Sequence, residues 1–341
     1  MSNVIAAIIA FSVMIVVHEL GHFLVAKWAG VTVYAFAVGF GPRLAGFTRG
    51  GTTYALNLLP FGGYVRMAGE DMEDSGGEGS FRTKTVRQRM AVVAAGPAMN
   101  LLLAFVLYVG MALAVGVPVG ASARIGELIP GWPAEQAGLR PGDTIVAIDG
   151  VPMESGQQVI ETIHQRPNEM LRLTVARGTE QFEVSVRSRL DPRQKIGLIG
   201  FRPEAIRERM GPVRAVAWGA GTIGATVSLI FSTLVGLFRT GGAVLDQLAG
   251  PVGAVKFLGE AGAAGLEIFL YTAAGLSIMI GVFNLLPVPA LDGGRLLFLA
   301  VEAVRRRSLD ARREGYVHLV GYVLLIALLL ILTFRDLLRL N

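Results

Sequence analysis

Hydrophobic positions in this chain fall into long, nearly uninterrupted runs, and polar residues are concentrated between them. The first run, Val4 to Val17, continues past a short polar group into Phe23-Leu24-Val25-Ala26. It predicts one helix from about Val4 to Lys27-Trp28, stopped at Gly30, long enough to cross a bilayer. A second apolar run, Met90 to Val117, follows Arg82, Lys84, Arg87 and Arg89 and contains Asn100, a polar side chain at membrane depth that must find a partner. A third, Ala215 to Phe238, carries no charge, and further helices are predicted over about Leu266 to Leu286 and Val317 to Phe334. Residues 239–265 read as a Gly-rich connection. Between the first two runs, Val31 to Phe40 is rich in strand formers. Leu44–Thr48 and Thr52–Leu59 flank Arg49-Gly50-Gly51, a hairpin signal. Leu59-Pro60-Phe61-Gly62-Gly63-Tyr64 reads as a turn whose glycines let the backbone approach another chain closely, and residues 70–80, acidic and Gly-rich, as a mobile stretch.

Polarity changes abruptly after Gly120, and residues 121–202 predict an inserted soluble module. Its clearest piece is Pro133-Ala134-Glu135-Gln136-Ala137-Gly138-Leu139-Arg140-Pro141-Gly142-Asp143, a short helix capped by glycine and turned by Pro-Gly-Asp into a strand over Thr144–Ile148. A helix over about Ser155–Gln165 and strands over Leu171–Ala176, Phe182–Arg187 and Ile196–Phe201 follow. This order resembles a PDZ domain in the permuted bacterial arrangement. The resemblance implies a peptide groove between Ile196–Phe201 and the 155–165 helix, filled by strand addition. The chain then divides into 1–120, 121–202, a membrane-associated re-entrant or amphipathic segment at 203–265, and 266–341.

Composition fixes the class. Of 341 residues, 52% are hydrophobic and only 17% charged, with a mean hydropathy of +0.55. The expectation is a polytopic α-helical membrane protein with about four transmembrane helices, a membrane-associated β-hairpin region and one inserted PDZ-like α/β domain. A net charge of +5 then reads as cytoplasmic loops and not as a nucleic-acid surface. Residues 1–17 imitate a signal peptide, but no basic stretch precedes them and their removal would cut into the first helix, so they are expected to be retained.

The first helix also carries His18-Glu19-Leu20-Gly21-His22. Histidines four apart project from one helix face, a metal-ligand pair, and Glu19 beside them can take a proton from a metal-bound water. With no cysteine in the chain, a third ligand must be His, Asp or Glu. Asp292 is the best candidate. It stands in Asn284-Leu285-Leu286-Pro287-Val288-Pro289-Ala290-Leu291-Asp292-Gly293-Gly294-Arg295, where prolines bar a continuous helix and the carboxylate can sit on irregular backbone. A helix N-cap is the plainer alternative for this residue. Asn284 can donate to a substrate carbonyl or oxyanion. Asn100 reads equally as a packing amide or as part of the site.

The two motifs, with a PDZ-like module between them, resemble the site-2 protease family of intramembrane zinc metalloproteases, in its bacterial branch with one PDZ domain. The resemblance implies Zn2+ held by His18, His22 and Asp292, with Glu19 as general base. It also implies that the Val38–Pro42 and Pro60–Gly63 stretches form a loop presenting substrate in extended form. Asn284, Pro287, Asn100, Gly62 and Gly63 are the candidate substrate-binding or oxyanion residues. Expected substrates are single-span proteins of the anti-sigma-factor type and remnant signal peptides, cut in the bacterial cytoplasmic membrane; the expected surroundings are lipid bilayer, without nucleic acid. Arg43, Arg49, Arg66, Arg82, Lys84, Arg87 and Arg89 before the second helix, and Arg295, Arg305, Arg306, Arg307, Arg312 and Arg313 before the last, place those loops in the cytoplasm. The N-terminus and the module then lie outside, the active site faces the cytoplasm, and Ala215–Phe238 does not cross. A noncatalytic receptor that senses peptides and keeps a structural zinc is the alternative; the intact Glu19 argues against it, because a structural site needs no base.

Overall fold

The computed structural model describes residues 2–70, 77–192, 194–239, 250–307 and 310–338. They form two compact units, Met1–Gly110 with Val213–Asn341, and Met111–Pro212. Most of the acidic stretch expected to be mobile, 71–76, lies outside the described residues.

Helix α1 (Ser2–Trp28) ends in a Schellman motif. Val31 N–H donates to Ala26 O at 2.8 Å and Gly30 N–H to Lys27 O at 3.1 Å, and Gly30 takes the left-handed conformation at φ +69° that the motif requires. The chain then makes two long strands, β1 (Val33–Arg49) and β2 (Thr52–Met67), joined at the expected Gly50-Gly51 turn. Each bends back on itself, so positions 35–38 pair with 53–56 on one side and with 63–66 on the other. The Gly62-Gly63 pair is therefore part of a strand and not the expected turn. Phe23, Ala26, Val33, Met67 and Val92 form the apolar cluster that fixes this sheet to the end of α1. Helix α2 (Val86–Ala114) starts with a capping box, in which Gln88 N–H donates to Thr85 Oγ1 at 3.3 Å and Thr85 N–H to Gln88 Oε1 at 3.1 Å.

The inserted unit contains β3 (Val117–Leu128), α3 (Pro133–Gln136), β4 (Thr144–Ile148), β5 (Val151–Pro152), α4 (Gly156–His164), β6 (Met170–Arg177), β7 (Glu180–Arg187), β8 (Arg189–Leu190), β9 (Gly197–Leu198) and β10 (Phe201–Glu208). The main sheet has the order β10-β3-β4-β6-β7, with β5 on β4, and β8 pairs β9. Its core is Ile125, Ile145, Ile148, Leu171, Leu173 and Ile199 with Val159 and Ile163 of α4. The unit is wider at both ends than 121–202, because β3 and β10 stay paired out to Val117 and Glu208. Asp143 explains the Pro-Gly-Asp turn. Its carboxylate accepts Arg140 N–H at 2.8 Å and both arms of the Arg177 guanidinium at 2.7 and 2.8 Å. The Arg177 fork holds the Asp143 carboxyl below the usual carboxylate range, ahead of the opposing effect of burial.

Five helices follow: α5 (Pro212–Arg239), α6 (Pro251–Ala264), α7 (Leu266–Asn284), α8 (Asp292–Arg305) and α9 (Ala311–Leu338). Among the described residues, five helices rather than four are long and apolar enough to span a membrane: α1, α2, α5, α7 and α9. Helix α5 runs unbroken, without the turn that a re-entrant segment would need inside it. Its hydroxyls bond back to its own carbonyls, Thr222 to Trp218 and Thr226 to Thr222, both at 2.8 Å, and disturb nothing. It crosses α2 where Trp218 meets the ring of Tyr108 edge-on, 5.8 Å between centroids. Part of the supposed Gly-rich connection is helix α6. Pro251 opens it, and its small residues let it lie against Asn3 of α1.

These contacts order the first unit into two ends. At one, Asn3 meets Gly259 and Gly262, and Gly253 N–H donates to Asp336 of α9 at 2.7 Å. At the other, Arg89 of α2 pairs with Glu302 of α8 at 2.5 Å, and Ala290 N–H donates to His318 Nδ1 at 3.0 Å. Thus α1 and α7 run one way, α2 and α9 the other. Met14, Leu258 and Ala273, with Leu103 and Leu107, fill the space between.

Candidate active site

The apolar bundle surrounds one polar focus. His18 and His22, at 7% and 8% exposure, are buried on one face of α1, their Nε2 atoms 3.2 Å apart. Asp292 Oδ2 lies 3.1 Å from His18 Nε2 and 3.4 Å from His22 Nε2. Ligand atoms about 2 Å from a tetrahedral metal stand about 3.3 Å apart, so the three separations are those of one face of such a site.

Hydrogen bonding points the same way. His22 Nδ1 lies 2.9 Å from Val92 O. A carbonyl only accepts, so Nδ1 carries the proton and Nε2 is left bare. Asp292 Oδ2 is buried without a hydrogen-bond partner. The lone pairs of His22 Nε2 and Asp292 Oδ2 therefore face each other with nothing between them, an arrangement that costs free energy in the bare protein and that a divalent cation relieves. The residues fit zinc, and His18, His22 and Asp292 are the one group of this kind among the described residues. Glu19, half-buried, is within electrostatic reach of both imidazoles, Asp292 and Glu70.

Asp292 reaches this point differently from the irregular backbone expected. It is the first residue of α8, and Leu291 holds the N-cap position without a side-chain bond. From that position Asp292 Oδ2 faces both imidazoles. Three residues on, Arg295 forms an ion pair with Glu70 just past β2. The charged anchors of α8, Arg295–Glu70 and Arg89–Glu302, have no signal in the linear sequence, since their partners lie hundreds of positions apart.

The remaining candidates are spread out. Gly62 and Gly63 run against α1 one turn before the histidines, where added methyls would sit 3.7 Å from Ile15 and Val16 side chains. Their tighter neighbours are in the sheet itself: a Cβ at Gly62 would meet the Phe40 ring at 2.9 Å and one at Gly63 the Ala37 carbonyl oxygen at 2.7 Å. Asn284 donates to Ile280 O of its own helix at 2.9 Å, and Pro287 is exposed between α7 and α8. Asn100 is fully buried, its amide against His18. Gly96 was not foreseen: a Cβ there would overlap the Nε2 atoms of both histidines. In the inserted unit, Trp132, Ile160, Ile163, Ile199 and Phe201 line a cavity of about 210 Å³ between α4 and the β9–β10 segment.

Three convergent donor atoms with a carboxylate alongside match what a metallohydrolase centre requires. Residues 6–328 match peptidase family M50. The zinc metalloprotease RasP of Geobacillus kaustophilus is 32% identical across 98% of this chain and 98% of its own length. The regulator of sigma-W protease RasP of Bacillus subtilis is 31% identical across 99% of both. Among solved structures, a PDZ domain of an SdrC-like protein from Listeria monocytogenes matches 24% of this chain and 87% of its own at 20% identity, TM-score 0.23. The chain belongs to peptidase family M50, the site-2 proteases. It is an integral membrane protein and a zinc metalloprotease.

Proposed function

We propose that this protein is an intramembrane endopeptidase of the bacterial cytoplasmic membrane that cuts single-span membrane proteins within or near their spans. The observation that carries the reading is the convergence of His18, His22 and Asp292 beside Glu19 inside an apolar helix bundle. In this reading those three residues hold zinc, which when bound polarises a carbonyl and acidifies a water. Glu19 takes the proton from the attacking water and returns it to the leaving amide nitrogen. A peptide bond in a helix is shielded by its own turn, so the substrate unwinds first. The β1–β2 sheet, lying along α1 through Gly62 and Gly63, supports its presentation as an added strand. Asn284 keeps a second amide N–H for the substrate carbonyl, and Pro287 lines the same approach.

The inserted unit is a PDZ-like module that controls access and does no chemistry, its groove between α4 and β9–β10 taking a peptide. The Bacillus subtilis relative is a regulator of sigma-W protease, which supports substrates of the anti-sigma-factor type, with remnant signal peptides a second group. The test is purified protein incubated with a panel of single-span substrates. Wild type cleaves inside the span, and Glu19→Gln retains zinc but cleaves nothing. Full activity in Glu19→Gln would remove Glu19 from the reaction.

Four helices cross in this reading, α1, α2, α7 and α9, with the N-terminus and inserted unit outside and Asp292 towards the cytoplasm. The gathering of Asn3, Gly253 and Asp336 at one end of the unit supports it. Had α5 crossed, the chain would have to return before Gly250, and residues 240–249 are about half the ~20 that a spanning helix needs. Single cysteines replacing Pro212 and Gly242, the latter outside the described residues, should both react with an impermeant thiol reagent added to intact cells. Protection of position 242 alone would restore α5 as a span.

A further inference from the structure

Both imidazoles of the α1 motif rest on a single stripe of α2. Positions 92, 96 and 100 are four apart, so they lie along one face of that helix, as 18 and 22 do on α1. Val92 contributes its carbonyl to His22 Nδ1. Gly96 contributes only space. Asn100, with no exposed surface, sets its amide 3.4 Å from His18 Nδ1.

The direction of that amide decides what His18 can do. With the NH2 group facing the ring, Nδ1 must be the bare nitrogen, and the proton goes to Nε2, the atom that faces His22 and Asp292. Turned over, the amide places its oxygen against the ring. The oxygen and nitrogen of an amide occupy nearly the same positions, so the surrounding packing barely changes. Oδ1 then accepts from Nδ1–H, and Nε2 becomes bare as His22 Nε2 already is.

We infer that Asn100 is a positioning residue for His18: its side-chain oxygen accepts the Nδ1 proton and so selects the tautomer whose Nε2 can hold zinc. The role rests on the proposed zinc site and goes beyond it, taking Asn100 out of the substrate-binding set. A plain packing role is assigned elsewhere in the residue. The α2–α7 joint is made by Ser277 Oγ, which donates at 2.8 Å to the Asn100 backbone carbonyl, a contact that any side chain at 100 would leave in place.

The experiment measures zinc affinity of the full-length protein in detergent by chelator competition. It uses wild type, Asn100→Ala, Asn100→Asp, Ser277→Ala and His18→Ala, with thermal unfolding of each metal-free variant recorded beside it. Loss of an outer hydrogen bond to a ligating histidine typically lowers affinity 10–100-fold. Asn100→Ala should fall in that range. Asn100→Asp, which keeps an acceptor oxygen, should recover to within several-fold of wild type. Ser277→Ala should hold zinc as wild type does. Wild-type affinity in a folded Asn100→Ala variant, or an equal loss in the Ala and Asp variants, would overturn the inference. Unchanged zinc in His18→Ala would instead overturn the zinc site itself. Histidine nitrogen-15 spectra of the unmodified protein give a reading independent of variant folding. A proton on His18 Nδ1 is expected, and a proton on Nε2 in the metal-free protein would also overturn it.

Discussion

The two halves of the proposed metal site are held by different physics. His18 and His22 are fixed by packing: they sit within a continuous helix, against a backbone carbonyl, a glycine and a buried amide of α2. Asp292 begins a new helix after a broken segment, and α8 is anchored by charge, through Arg295–Glu70 and Arg89–Glu302. Close packing is stiff and fails abruptly when a volume is wrong. Ion pairs nearer the surface give gradually and respond to salt. One half of the centre is thus a rigid reference, and the other is brought to it.

The largest expected effect comes from forcing the rigid half. Gly96→Ala puts a methyl where both Nε2 atoms stand, so one helix must move. The expectation is at least a 100-fold loss of kcat/KM, with zinc affinity lowered as well, measured on purified protein; near-wild-type activity would show that the α1–α2 contact is soft. Next comes the adjustable half. Glu70→Gln removes the partner of Arg295 while all three zinc ligands remain. About a tenfold loss of kcat/KM with zinc content retained is expected, and wild-type protein at high salt should move in the same direction. If Glu70→Gln behaved like Gly96→Ala, the contrast between the halves would collapse. The smallest effect on the reaction should come from an ion pair of the inserted unit. Asp143→Asn should destabilise the inserted unit by about 2 kcal/mol, as expected for hydrogen bonds to a charged group, and leave zinc content unchanged. Because the folded-state carboxyl of Asp143 is held below its unfolded value, its contribution is fully present above about pH 4. It is lost as pH falls through the folded value. The unfolding temperature of wild type should therefore drop more steeply below pH 4 than that of Asp143→Asn.

The same contrast separates what could be read in the sequence from what could not. A histidine pair at helical spacing inside an apolar run states its own geometry, because both residues belong to one helix. Asp292 was within reach too, since Pro287, Pro289 and the absence of cysteine narrow the choice. The inserted unit was legible through Pro141-Gly142-Asp143 and its alternating strands, though its edges were not; the pairing of Val117 with Glu208 depends on a partner 91 residues away. Gly62-Gly63 read as a turn because glycine pairs usually are, and here they serve a strand lying on a helix. The helix over Pro251–Ala264 was hidden by glycines that lower propensity but permit contact with α1. Gly96 and Arg295–Glu70 depend on which helices become neighbours, and no local pattern encodes that.

The bond between His22 and Val92 has one more consequence, for how the protein tolerates inheritance of errors. Because residue 92 acts through its backbone, no side-chain replacement there can delete the acceptor, and a saturation library should accept apolar residues of similar volume at 92. Position 96 should accept nothing larger than hydrogen. Position 100 should accept only residues that bring an oxygen to the same place. Three neighbouring sites on one helix face, serving two chemically identical ligands, would then show three different mutational spectra.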